Sequence, residues 1–141
     1  MSKLTCDIVH LQDRVYRCED VEMVVVPGQL GETGIMENHV PLVSKLRSGA
    51  VRVHLNDGTV KTIATQGGYA TCSGTRVYVL ADRACLAEDI DENELREEEA
   101  SLNQRIAAEE EGIKKKVLER KLRWVNIRRK VKEQAGNAAH I

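Results

Sequence analysis

The sequence predicts an α+β protein, with a β-rich body to about residue 87 and a helical last third. Before Glu88, apolar residues alternate at a spacing of two and are interrupted by turn signals. From Asp91 onward they recur at helical spacings. Charge also separates there, acids first and bases after.

In the body, Leu4, Cys6 and Ile8 alternate, and Met23-Val24-Val25-Val26 reads as a strand buried on both faces. Gly28, Gly31 and Gly34 then recur in an expected loop, where positive φ or close backbone approach is needed. Val51, Val53 and Leu55 alternate with Arg52 and His54. Asn56-Asp57-Gly58 predicts a tight hairpin with positive φ at both central residues, and Val60-Lys61-Thr62-Ile63 resumes the strand pattern. Gly67-Gly68 predicts either a bulge beside a closely passing chain or a tight corner. Ser73-Gly74 turns Tyr69–Cys72 into Arg76–Leu80. Short strands with closely spaced turns indicate a sandwich or flattened barrel.

In the last third, Asp91 with Glu94 resembles a capping box. Leu95, Leu102, Ile106 and Ile113 form one helical stripe. Ile113, Val117, Leu118, Leu122, Trp124, Val125 and Val131 form another. Gly112 is the one breaker between them, at a cost of about 1 kcal/mol relative to Ala in an exposed helix. A two-helix hairpin and one long helix both fit, and Gly136-Asn137 is expected to end the pattern.

Between Glu88 and Glu111, eleven carboxylates face only Arg96 and Arg105. Between Gly112 and Gln134 the sign reverses: Lys114, Lys115, Lys116, Arg120, Lys121, Arg123, Arg128, Arg129, Lys130 and Lys132 face Glu119 and Glu133. Folded back, the two arms neutralise each other; opened, the basic arm is free to grip an acidic partner. This is the physics of a switchable partner-binding element.

Other function classes fare poorly. At 30% charged residues, with no apolar run of membrane-spanning length, a soluble chain is expected. The start, Met-Ser-Lys-Leu-Thr-Cys-Asp, does not read as a secretion signal. Cys6, Cys18, Cys72 and Cys85 are dispersed and read as reduced, buried thiols. His10, His39, His54 and His140 have no ligand neighbours at metal spacing. No nucleophile elbow exists, and the glycine run from Gly28 to Gly34 lacks the Lys-Ser/Thr of a phosphate loop. These absences count against a small enzyme, and no cofactor or metal is expected. Nucleic-acid binding by the basic helix is the alternative, opposed by the acidic arm and by 3% aromatic content.

The run Gly31-Glu32-Thr33-Gly34-Ile35-Met36-Glu37-Asn38-His39-Val40-Pro41-Leu42 resembles the signature of the ε-subunit family of F-type ATP synthases. Leu46 to Gly49, Gly67-Gly68-Tyr69, Val77–Asp82 and Asp89-Ile90-Asp91 match later family motifs in order and spacing. The match is specific to about residue 95; beyond it, the hairpin agrees in architecture and position.

The resemblance implies a flattened β-sandwich of about ten strands over 1–87 and an antiparallel two-helix hairpin over 88–141. It implies a non-catalytic rotor subunit that couples the γ subunit to the membrane c-ring, with helices that restrain ATP hydrolysis. It places the complex peripherally on the cytoplasmic face of the bacterial inner membrane, or its organelle equivalent. Carried over by position, Glu32, Thr33 and Gly34 belong to the loop facing the c-ring, and His39 is structural or interfacial. Lys114, Lys115, Lys116, Arg120, Lys121, Arg123, Arg128 and Arg129 would seek the β subunits of the catalytic head.

Two departures matter. Glu37-Asn38 replaces the family's Pro-Gly, so either the turn is reshaped or Asn38 adopts the left-handed conformation. At the start of the hairpin, Glu94 and Leu95 replace the Arg-Ala of members that bind ATP, so that site is not carried over.

Overall fold

The computed structural model describes residues 3–11 and 13–139, with side chains through residue 136. Nine strands are present among the described residues: β1 (Leu4–His10), β2 (Asp13–Gly28), β3 (Gly31–Met36), β4 (Leu42–Lys45), β5 (Gly49–Leu55), β6 (Val60–Gln66), β7 (Tyr69–Ser73), β8 (Arg76–Ala81) and β9 (Arg83–Leu86). A short 3-10 turn (Ala87–Asp89) leads into α1 (Glu92–Ala108) and α2 (Ile113–Ala139).

The strand order is β4-β7-β8-β1-β2-β5-β6-β9, with β3 also paired to β2. The expectation of about ten strands becomes nine, in part because β2 is one 16-residue strand that serves both layers. Its first half pairs with β1, and its second half pairs with β3 and β5. Register shifts between Ile8 and Val9 and between Val21 and Met23 mark bulges, the device by which a strand bends between layers. Inward residues of both layers meet in one core: Cys6, Ile8, Val77 and Val79 from one, Val51, Val53 and Ile63 from the other. Strand alternation places these on the inner faces and polar residues outside.

Local chemistry explains the turns. Only Gly58 in Asn56-Asp57-Gly58 has positive φ, at 90°, so the expectation of two such residues is corrected. Asp57 instead accepts the Thr59 N–H at 2.8 Å, an Asx-type contact that a three-residue loop ending in glycine accommodates. Asn38 does take the left-handed conformation, with φ 64°. At Gly68, φ is 109°, and a Cβ would lie 2.1 Å from the Leu80 carbonyl oxygen. The Gly67-Gly68 corner and the close passage of β8 are thus one feature.

The helices form a hairpin. Asp91 caps α1 by accepting the Asn93 N–H at 2.8 Å. Gly112, with φ 151°, breaks the chain between the helices. Gly136 does not end α2, which continues to Ala139; an exposed glycine weakens a helix without forbidding it. Leu95 and Leu102 of α1 pack with Leu118, Trp124, Val125 and Val131 of α2 over Ala64. Ala50, Ala64 and Cys85 are cross-strand neighbours on the outer face of β5-β6-β9, and these small side chains admit the helices closely. His140 lies outside the described residues.

Candidate interaction surfaces

The hairpin covers one outer face of the sandwich and leaves the other open. On the open face, the cross-strand register aligns Val43, Thr71, Tyr78, Asp7 and Arg17 in one row. Lys45, Tyr69, Leu80, Val9 and Arg14 form the next. Val43 is 74% exposed, Tyr69 50% and Leu80 44%. Val43, Tyr69, Tyr78 and Leu80 thus stand exposed together between charged residues, the kind of surface that protein contacts use. The family motifs contain Tyr69, Tyr78 and Leu80 without marking them as a surface; the signal for that was the apolar residues at outward positions of β4, β7 and β8.

Glu32, Thr33 and Gly34 lie in β3, not in a loop, which corrects the expected placement. The turn is Gln29-Leu30, with Leu30 fully exposed at its tip. Gly28 and Gly34 are strand residues as well, and only Gly31 of the three has positive φ, at 135°. The Glu32 carboxylate is already paired with Arg52 of β5. His39 is half-buried; its Nδ1 lies 2.7 Å from the Val40 carbonyl and 3.7 Å from Cys72 Sγ. These contacts tie down the segment between β3 and β4.

The basic residues of α2 divide into two sets. Arg128 reaches Glu98 at 2.8 Å and lies over the Trp124 ring, 5.2 Å from its centroid. Arg129 reaches Glu92 at 3.2 Å and Glu99 at 2.5 Å, and these hydrogen bonds raise its pKa, Glu99 foremost. Arg120 faces Asp82 of the body at 3.8 Å, while Lys61 pairs with Glu88 at 2.9 Å. Glu97 is exposed and stands outside this network. Lys115 pairs locally with Glu111 at 2.8 Å. Lys114, Lys116, Lys121 and Arg123 make no ion pair among the described residues. Lys114 and Lys121 line an open cleft of about 400 Å³ at the hairpin tip, beside Ile113 and Val117.

Among the described residues, no cluster of His, Cys, Asp and Glu could hold a metal ion. All four cysteines are free; burial first, then Asp7 and Cys18, pushes the Cys6 thiol up to about 12. Such a thiol is inert as a nucleophile. Nucleic-acid binding by α2 finds no support either, since three of its arginines are spent on carboxylates.

Residues 3–87 match the family model of the ATP synthase delta/epsilon chain β-sandwich domain. An ATP synthase epsilon chain of Stenotrophomonas maltophilia is 35% identical over 122 residues, covering 86% of each chain. One from Psychrobacter is 33% identical over 113 residues, covering 80% of this chain and 81% of that one. The fold matches a chain of the Euglena gracilis mitochondrial ATP synthase with a TM-score of 0.66 at 18% identity, covering 99% of this chain and 83% of that one. It also matches one from the central stalk and c-ring of the Tetrahymena thermophila enzyme, with a TM-score of 0.56 at 7% identity, covering 92% and 96%. By the sandwich-domain match and the identity to epsilon chains, this chain belongs to the delta/epsilon family of ATP synthase subunits.

Proposed function

We propose that this chain is the non-catalytic central-stalk subunit that joins the γ subunit to the c-ring, with a hairpin that restrains ATP hydrolysis when it opens. The observation that carries the reading is the division of the sandwich into a hairpin-covered face and an open apolar face. Val43, Tyr69, Tyr78 and Leu80 on the open face serve as the γ contact. The exposed Leu30 turn and neighbouring Glu32 serve the ring. Lys114, Lys116, Lys121 and Arg123 answer an acidic segment of the catalytic β subunits once the hairpin swings out. Peripheral attachment at the cytoplasmic face of a bacterial inner membrane suits the bacterial relatives; among the described residues no helix is long and apolar enough to cross a membrane.

The test is affinity capture of the tagged full-length chain from membranes, followed by identification of the recovered partners. Recovery of γ with the catalytic head and ring supports the reading. Recovery of nucleic acid without those chains overturns it.

A further inference from the structure

Asp7 sits on the outer face of β1, yet it is only 2% exposed. Three arginines bury it. Arg14 Nε and the Arg17 guanidinium each lie 3.6 Å from Oδ1, and Arg76 lies 3.3 Å from Oδ2. Only the Arg76 contact is a hydrogen bond. Oδ1 is buried and accepts none among the described residues, so charge rather than directional bonding gathers the guanidiniums.

The cluster is over-supplied with cations. Arg17 also reaches Glu19 at 3.1 Å, so two carboxylates answer three guanidiniums and one positive charge is left over. The Arg14 and Arg76 side chains remain 60% and 58% exposed. Each guanidinium carries five N–H donors in a planar fork, of which Asp7 uses one at most. Beside them opens a crevice of about 500 Å³, lined by Asp7 and the two arginines and by Val9, Leu11 and Tyr78. It continues the open face.

We infer that Arg14 and Arg76, drawn together by Asp7, form a cradle for a carboxylate side chain of the γ subunit docked on this face. This rests on the proposed docking of γ there and adds its charge specificity. One carboxylate matches the one uncompensated charge. A phosphate dianion would carry excess charge against Asp7 and Glu19. Seating the acid against the arginines, beside Val9, Leu11 and Tyr78, removes water from both partners, which strengthens the pairing and makes its loss costly. Asp7 acts as a positioning residue that holds the two forks in register.

The experiment measures binding of the purified full-length chain to purified γ across a salt series. Arg14→Gln with Arg76→Gln should lower affinity by about 30-fold or more, mainly through faster dissociation, and flatten the salt dependence. The change leaves buried Asp7 with Arg17 alone, so the melting temperature should fall; binding is therefore compared well below it, in a double variant with the circular dichroism spectrum of the parent. Tyr69→Ala, on the same face, should weaken binding with the salt slope retained. If the double variant binds γ as the parent does while Tyr69→Ala does not, the cradle is overturned and the docking face stands. If the unaltered chain fails to bind γ, both fall. If inorganic phosphate binding is lost in the double variant but γ binding is not, the site is a general anion site and the inference is overturned.

Discussion

The guanidinium of Arg128 on α2 lies 2.8 Å from the carboxylate of Glu98 on α1, joining residues 30 apart in sequence. Its side chain is 16% exposed, because Trp124 shields one face. With Arg129 on Glu92 and Glu99, it forms the latch that holds the acidic arm to the basic one. Shielding separates this pair from an ordinary surface ion pair, which contributes little.

Replacing Arg128 with Gln is therefore expected to loosen the hairpin by about 1.5 to 3 kcal/mol, the range for hydrogen bonds to charged groups. Replacing Glu98 with Gln as well should add less than its separate effect, because the two share one interaction. Spin-label distances between α1 and α2, measured in the single and double variants, check both statements.

The body should fold without the hairpin. A truncation ending at Ala87 retains the whole core shared by β1–β8, and loses only the cluster over Ala64. A cooperative melt with a β-type circular dichroism spectrum is expected. A non-cooperative melt would show that the helices are needed to complete the sandwich.

Backbone geometry makes opposite predictions at two positions. Gly68→Ala should destabilise at the extreme of single substitutions, on the order of 4 kcal/mol or more, since its Cβ would meet the Leu80 carbonyl at 2.1 Å. Asn38→Gly should be close to neutral, because glycine adopts the left-handed region readily, while Asn38→Val should cost about 1 to 2 kcal/mol. Denaturant melts of the three variants read this directly.

Burial raises the Cys6 pKa from 9.0 to about 12 in the fold. The folded state thus holds the proton more tightly than the unfolded chain. Its contribution is fully present below pH 9 and is lost between about pH 9 and 12. Melting temperature should fall through that window, and Cys6→Ala should flatten the alkaline decline. An identical pH profile in both proteins would remove Cys6 from the effect.

Much of this architecture was legible in the chain. Alternation at Val51–Leu55 and the change of period at Asp91 located sheet and helix, because each follows from backbone geometry alone. Asp57-Gly58 marked a turn but not its type, since the Asp57 side chain competes for the Thr59 N–H. Glu32 and its neighbours were misplaced in a loop because three spaced glycines suggest one, although ladder pairing of Glu32 with Pro27 extends the strand through them. The basic arm was visible as charge, but its division into latch and free residues depends on which faces meet α1 and the sheet. The arginines around Asp7 come from β2 and β8, some sixty residues apart in sequence, so no local motif could reveal them.

The regulatory claim is tested most directly by ATP hydrolysis. The complex would be assembled with the full chain or with a chain ending at Ile90, with equal subunit composition verified. Truncation removes both the latched and the opened hairpin while sparing the γ-binding face. Higher hydrolysis with the truncated chain, over a range of salt and nucleotide, is the predicted result. Equal hydrolysis by the two complexes would contradict a regulatory hairpin and leave the segregated charges as mutual support of a static pair of helices.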